Sequence, residues 1–359
     1  MTPDEQLASE VPLVIRVVEP DRRPAPGLLE AVFWSVVFIA VQMLGAIAVA
    51  AIVLGIAAVQ TDQPGQFLDD QLAGTSSATG QTPQAADQPR PPLPEEMGRA
   101  LAYGMLGAQL VSLVVIRSVV PWRVGRNWRS ELGFRWPSLV HLLLMVLLVP
   151  GFLVLSGGIQ ELVARLSGVK PPAAVEALNG VFRTVPWYIA LVSVSLGPGF
   201  VEEVWCRGFL GRGLCARYGT VAGVLLTSLL FALMHLDPSQ VIVITVMGAY
   251  LHVIYLMTRC IWVPITLHAL NNGIALLAAQ LHGPPALGDE PQGVPVVVYL
   301  VGFTLVLFAS IALWTSRPLS LQAREMPAEP DRSPRYHRLS RMALALTLVS
   351  LGVLMVLIM

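Results

Sequence analysis

The sequence is poor in charge. Of its 359 residues only 13% are Asp, Glu, Lys or Arg, about half the share of an ordinary soluble domain. Lysine is almost missing: Lys170 stands alone and every other cation is arginine. The formal net charge is 0, so no basic excess is available for phosphates and a nucleic-acid partner is excluded. Cysteine is scarce too. Cys206, Cys215 and Cys260 form no CxxC, which argues against a disulfide framework or a cysteine zinc site. There is no GxxxxGK or GxGxxG for a nucleotide and no internal repeat. HExxH, GxGD and an intramembrane GxSG are also missing, which removes three familiar ways of building a protease inside a membrane.

What the chain has in abundance is apolar sequence: 55% hydrophobic residues and a mean hydropathy of +0.66. Nine runs reach membrane length. They are Leu29–Val59, Arg99–Val120, Leu139–Ile159, Pro186–Leu214, Val221–His235, Val241–Met257, Ile261–Leu281, Val294–Trp314 and Met342–Met359. The expected fold is an all-α polytopic membrane helix bundle of eight or nine spans around a four-helix core. The first run follows a charged tail and is about twice as long as a signal-peptide core, so it reads as a retained span.

Loop charge sets the expected orientation. Arg16, Arg22 and Arg23 precede the first span. The next loop carries Asp62, Asp69, Asp70, Asp87, Glu95 and Glu96 against Arg90, and the one after it carries Arg117, Arg123, Arg126, Arg129 and Arg135. Arg212, Arg217, Arg259 and the run from Arg317 to Arg341 continue the alternation. A nine-span chain with its N-terminus in the cytoplasm puts every basic cluster inside, as expected of a protein in a prokaryotic inner membrane. The chain divides into a tail (1–28), N-terminal spans (29–185) with a mobile Gln/Pro-rich loop at 60–97, a core (186–281), and C-terminal spans (282–359) with a cytoplasmic linker at 317–341.

The core has charges where lipid should be. Glu202, Glu203 and Arg207 lie in an otherwise apolar span. Each costs about 2.5–3.5 kcal/mol at mid-bilayer, on the order of 9 kcal/mol for three left unpaired. Residues held against such a penalty face an interior or a cavity and mark a site. Glu203 and Arg207 are four apart and share a helix face. Glu202 is rotated about 100° from Glu203. The spacing predicts a structural Glu203–Arg207 pair and a Glu202 left for chemistry. A purely structural ion-pair network accounts for the same residues.

Two neighbouring spans add His235, with Phe231 four residues before it, and His268, with Asn272 four residues after it. Asn272 is placed to orient the imidazole or a bound carbonyl. His141 and His252 lack such companions and read as packing residues. His282 and His337 fall in loops. At ~1.5 Å per residue, Glu202, His235 and His268 lie ~22, ~24 and ~14 Å from the arginine-rich side. Tilt, or a helix break at Gly197-Pro198-Gly199, would bring them level.

Glu202-Glu203-Val-Trp-Cys-Arg207 fits EExxxR, Phe231-Ala-Leu-Met-His235 fits FxxxH, and His268-Ala-Leu-Asn-Asn272 fits HxxxN. In this order, on separate apolar spans, the trio resembles the CPBP family: CAAX endoproteases of the Ras-converting type and bacteriocin-processing enzymes, also called the Abi family. The resemblance covers about Pro186–Leu281. It implies an intramembrane endopeptidase acting on a membrane-associated protein or peptide. Glu202 would activate water, His235 and His268 would complete the centre, and Asn272 would hold the oxyanion or a ligand. Glu203, Arg207 and Phe231 would support them.

Two chemical schemes remain open. His235, His268 and Glu202 are the donor types of a catalytic zinc with one position left for water, which would make the protein a metalloprotease. Alternatively Glu202 works without metal and the histidines stabilise the oxyanion. Two non-proteolytic readings also accommodate the residues. One is a non-catalytic membrane protein of the immunity or scaffold kind. The other is a proton-coupled transporter with a mid-membrane carboxylate, against which the lack of repeats counts.

Overall fold

The computed structural model describes residues 26–79, 94–167, 181–282 and 294–315. Its described elements are helices, with no strand among the described residues. In chain order they are α1 (Leu28–Val59), α2 (Pro64–Thr79), α3 (Glu95–Val124), the single turn α4 (Trp128–Glu131) and α5 (Leu139–Ser167). Then follow α6 (Trp187–Tyr218), α7 (Thr220–Leu233), α8 (Val241–Thr258), α9 (Trp262–His282) and α10 (Val296–Thr315). Six of them, α1, α3, α5, α6, α8 and α10, are long and apolar enough to cross a membrane. The protein is an integral membrane helix bundle. Eight of the nine apolar runs are helices; the ninth, Met342–Met359, lies outside the described residues, as does the linker at 317–341.

Small residues let these helices approach closely, as expected where lipid is as apolar as the side chains. A Cβ on Gly104 of α3 would stand 2.8 Å from the Ala46 carbonyl of α1, and one on Gly107 would stand 3.0 Å from the Gly45 carbonyl. On the other flank, a Cβ on Gly151 of α5 would stand 2.6 Å from the Gly302 carbonyl of α10. Both pairs are antiparallel. Between them α6, α8 and α9 are buried most deeply, around Trp205, Phe209, Leu210, Ile254, Val263 and Leu267.

The two ends of the bundle differ in charge. At one end the turn after α3 folds under the bundle. There the Tyr255 hydroxyl donates to the Leu132 carbonyl at 3.2 Å, the Ile261 amide to the Gly133 carbonyl at 3.1 Å, and Arg135 to the Thr258 carbonyl. Arg123 pairs with Glu30, and Arg212 with Glu131. Among the described residues this end gathers Arg123, Arg126, Arg129, Arg135, Arg212, Arg217 and Arg259 against those two glutamates. The opposite end carries Asp62, Asp69, Asp70, Glu95, Glu96 and Glu161 against Arg99, Arg165 and Arg183 among the described residues. Aromatic side chains sit at both levels, as membrane interfaces favour: Trp136 stacked on Trp262 at the arginine end, exposed Trp187 and Tyr188 at the acidic end.

The polar composition of 60–97 suggested a mobile loop, yet part of it folds. Pro64–Thr79 is helical, and Gln71 accepts a hydrogen bond from the Met97 amide at 3.0 Å. Pro64 at the start supplies the fixed φ of a first helical turn. Residues 80–93 lie outside the described residues.

Candidate active site

α6 carries the site and is not a regular helix. Two stretches, Val192–Leu196 and Val204–Gly211, are π-helical, on either side of the α-helical Gly197–Glu203. Such wider turns are rare and concentrate at functional sites, because they release carbonyls for other partners. Here the Val194 carbonyl accepts from Asn272 Nδ2 at 3.1 Å. No helix break occurs at Gly197-Pro198-Gly199: Pro198 lies where the first π-helical stretch passes into the α-helical one, inside the continuous α6. A Cβ on Gly199 would stand 2.9 Å from the Ala269 Cβ. That glycine lets α9 press against α6, and the Ser195 hydroxyl donates to the Ala269 carbonyl at 2.7 Å beside it.

The expected Glu203–Arg207 pair forms, with Nη1 2.7 Å from Oε1 and both side chains buried. The same Oε1 also takes His268 Nδ1 at 2.8 Å. Glu203 therefore orients the imidazole. Asn272, expected to do so, spends its amide N–H on Val194 instead. Arg207 is further held by the Gly248 carbonyl of α8, 3.0 Å from Nη2, and by the Phe231 ring, whose centroid lies 4.3 Å from its guanidinium carbon. Gly248 escaped the sequence reading. A Cβ there would stand 3.0 Å from the Phe231 ring and 3.3 Å from Arg207 Nη2, and the signal was a single glycine in a run of Val, Ile and Tyr.

Phe231 is the hub. His268 meets it edge-on at 6.1 Å between ring centroids and His235 at 4.9 Å. His235 does not lie inside a span. It follows the end of α7 in an exposed turn, with Nδ1 2.9 Å from the Phe231 carbonyl. In both histidines Nδ1 is engaged within the protein and Nε2 remains for a ligand. Glu202 precedes Glu203 in the same turn of α6, and the Oε2 atoms of both are buried without a hydrogen-bond partner, an arrangement costly enough to need a cause. Asn271 Oδ1 and Thr245 Oγ1 are likewise buried and unpartnered.

The levels agree better than residue counting suggested. α8 runs parallel to the second half of α6, with Gly248 against Arg207 and His252 against Gly211. α9 runs antiparallel to it, with His268 against Glu203 and Asn272 against Val194. α7 places Phe231 against Gly248. Glu202, Glu203, His235 and His268 thus share one layer. Counting from Arg259 understated the depth of His268, because Cys260 and Ile261 are already fully buried under the turn after α3. Burial also holds the Cys260 thiol above its usual pKa.

Whether these residues suit a metal divides into two parts. The donor types do. Their placement does not: among the described residues no three His, Cys, Asp or Glu side chains are grouped around a common point. No step below is therefore routed through a metal.

Comparison with known proteins converges on this region. Residues 184–274 match the Rce1-like family, described as type II CAAX prenyl endopeptidase Rce1-like. The "Putative membrane peptidase YdiL" of Bacillus subtilis (strain 168) is 25% identical over 179 residues, 47% of this chain and 67% of that protein. The "Membrane-embedded CAAX protease MroQ" of Staphylococcus aureus (strain USA300) is 35% identical over 117 residues, 31% of this chain and 47% of that protein. The chain thus spans about half the length of the second relative. No solved structure matches. The matched segment contains Glu202, Glu203, Arg207, Phe231, His235, His268 and Asn272, so the similarity to the Rce1-like family falls on the residues that build this site.

Proposed function

We propose that the protein is an intramembrane endopeptidase that hydrolyses a peptide bond of a membrane-associated substrate with a water activated by Glu202. The observation that carries this reading is the contrast between adjacent carboxylates. Glu203 is committed through Oε1 to Arg207 and His268, whereas Glu202, in the same turn of α6, has no such ion pair and keeps a buried oxygen without a partner, as the Oε2 of Glu203 also does; in the same layer two histidines hold their Nδ1 atoms within the protein and leave Nε2 for a ligand.

The chemistry follows. Glu202 takes a proton from water as the oxygen adds to the scissile carbonyl. With Nδ1–H given to the Phe231 carbonyl and to Glu203 Oε1, the His235 and His268 rings donate from Nε2 to the resulting oxyanion only as imidazoliums, the form this step requires, in surroundings where such donors are worth far more than in bulk water. Glu202 then returns its proton to the departing amine. Glu203 positions His268, Arg207 neutralises Glu203, and Phe231 spaces the two imidazoles. Asn272 holds the π-turn and keeps a second N–H for the substrate carbonyl. A transporter reading gains nothing from the paired Glu203.

The test is cleavage of a quenched, membrane-anchored peptide library by wild type and by Glu202→Gln in liposomes. Cleavage by wild type alone is expected. Equal cleavage by the variant overturns the role of Glu202. Metal content is read on the same samples. Activity that persists in metal-free protein is the expected result; loss to a chelator with recovery on adding zinc replaces the water-only scheme by a zinc-bound one.

A further inference from the structure

The turn that closes the arginine end has a composition of its own. Residues 121–137 read Pro-Trp-Arg-Val-Gly-Arg-Asn-Trp-Arg-Ser-Glu-Leu-Gly-Phe-Arg-Trp-Pro. Tryptophans and arginines alternate along it around a single carboxylate, Glu131. Trp122 and Trp136 are exposed. Tryptophan favours the headgroup level of a bilayer, where its ring is in apolar surroundings and its N–H is wet. The segment therefore lies at the depth of the lipid phosphates.

The arginines here divide by partner. Arg123 pairs with Glu30, and Arg212 of α6 takes Glu131. Arg126 and Arg129 are exposed, and among the described residues no carboxylate pairs with either. Arg129 lies only against its neighbour's ring, its guanidinium carbon 5.4 Å from the Trp128 centroid. Arg135 donates to the Thr258 carbonyl at the end of α8. The next residue, Arg259, is exposed, and its carbonyl lies against Gly133. Arg126, Arg129, Arg135 and Arg259 thus bring four cations to one end of the bundle with no carboxylate among the described residues to offset them. Such a field favours an anionic partner.

The same turn reaches the catalytic layer from the arginine side. Gly133 takes a φ of 72°, a left-handed turn that glycine adopts without steric cost. Beside it Leu132 points into the bundle and has no exposed surface. It lands on Gly208, where a Cβ would stand 2.7 Å from Leu132 Cδ2. Gly208 directly follows Arg207 in the π-helical Val204–Gly211. The path from the exposed arginines to the Arg207–Glu203–His268 chain is therefore one side-chain contact and one peptide. The bonds of the Leu132 and Gly133 carbonyls to Tyr255 and Ile261 fasten the turn to the ends of α8 and α9.

We infer that this face docks the headgroups of anionic phospholipids, with Arg126 and Arg129 as its main contacts, and that docking holds Leu132 against Gly208 and so steadies the Arg207 layer. The chemistry selects the partner. A guanidinium fork matches a phosphate, and the indoles beside it match the glycerol and the first methylenes beneath. A free phosphate answers only the first of these. A zwitterionic lipid carries an ammonium that offsets its own phosphate.

The test compares the protein in nanodiscs of phosphatidylcholine with the protein in nanodiscs that also contain phosphatidylglycerol. Retained lipid is read by native mass spectrometry, and amide exchange is read across 129–136 and 204–211. Preferential retention of phosphatidylglycerol, with slower exchange in both segments, is the expected result. Arg126→Gln combined with Arg129→Gln should cut the preference by about 25-fold, at about fivefold for each arginine near an anionic surface. Lysine at both positions should keep most of it, which separates lost charge from a misfolded turn. No preference in wild type, or a preference that the glutamines leave intact, overturns the docking face. Equal slowing by inorganic phosphate in phosphatidylcholine discs overturns the lipid as partner. A preference with no change across 204–211 overturns the link to Arg207. Cleavage is not read in any arm, so the outcome is independent of the proteolytic reading.

Discussion

Glu203 Oε1 is shared by Arg207 and His268, which approach it to 2.7 and 2.8 Å from different helices. One carboxylate oxygen thereby ties α6 to α9, and Arg207 ties both to α8 through the Gly248 carbonyl. Removing the cation leaves a buried anion with an imidazole as its remaining partner. Breaking a buried pair on one side typically costs about 3–5 kcal/mol. Arg207→Ala is therefore expected to lower the thermal midpoint in detergent and the yield of monodisperse protein. Arg207→Lys recovers little of it, because an ammonium cannot contact Glu203, the Gly248 carbonyl and the Phe231 face together. An Arg207→Ala protein as stable as wild type would show that the pair is dispensable to the fold.

Glu202→Gln is expected to behave in the opposite way. Its buried oxygen has no partner to lose, so stability should stay within about 1 kcal/mol of wild type, while turnover falls by the ~10²–10⁴-fold that a general base supplies. Thermal unfolding and peptide cleavage on the same preparation separate the two adjacent glutamates. A large loss of stability in Glu202→Gln would mean that this side chain is also structural.

That separation was partly legible in the sequence. The Glu203–Arg207 pair follows from helical spacing alone, and it left Glu202 free by elimination. The partnership of Glu203 with His268 was not legible, because it spans 65 residues and no local period records a contact between helices. The π-turns were hidden for a similar reason. Valine, serine and leucine at 192–196 carry no signal for a wider turn, and the Asn272 amide that holds the freed carbonyl comes from α9. His235 looked like the last residue of a span because the apolar run continues to it. The helix stops at Leu233, and Leu236 adopts a φ of 55°, a left-handed turn that composition did not foretell. The spans themselves were the most readable feature, since the bilayer sets their length and apolarity directly.

The two histidines should differ in what their loss costs. His268 is buried and bonded to a carboxylate, and hydrogen bonds to charged groups contribute about 1.5–3 kcal/mol. His235 is exposed in a turn. Alanine at either position is expected to abolish cleavage, but only His268→Ala should lower the unfolding midpoint clearly. Full activity in His235→Ala would remove that residue from the centre and leave oxyanion stabilisation to His268 and Asn272.

Asn272→Ala withdraws the donor that satisfies the Val194 carbonyl. An unsatisfied buried carbonyl costs about 1–3 kcal/mol, and the segment can avoid that cost by rewinding the π-turn into a regular α-helix. Rewinding rotates everything that follows, Glu202 included, relative to α9. The expected outcome is a protein that stays folded, shows altered amide exchange across 192–199 and loses most of its activity. Unchanged exchange with lost activity would instead assign Asn272 to the substrate directly.

Gly248→Ala tests the spacing of the whole layer with one methyl group. The added carbon would stand 3.0 Å from the Phe231 ring and 3.3 Å from Arg207 Nη2. The ring is fixed by its edge contacts to both imidazoles, so the easier movement is of α8 away from α7. Overpacking of this kind costs about 1–3 kcal/mol. Because α8 also supplies the carbonyl that holds Arg207, a shift loosens the Arg207–Glu203–His268 chain in turn. Activity should therefore fall by more than the lost stability accounts for, with cleavage impaired at temperatures where the variant is still fully folded. A variant that loses stability but cleaves normally whenever folded would show that the layer tolerates a wider spacing than Phe231 now imposes.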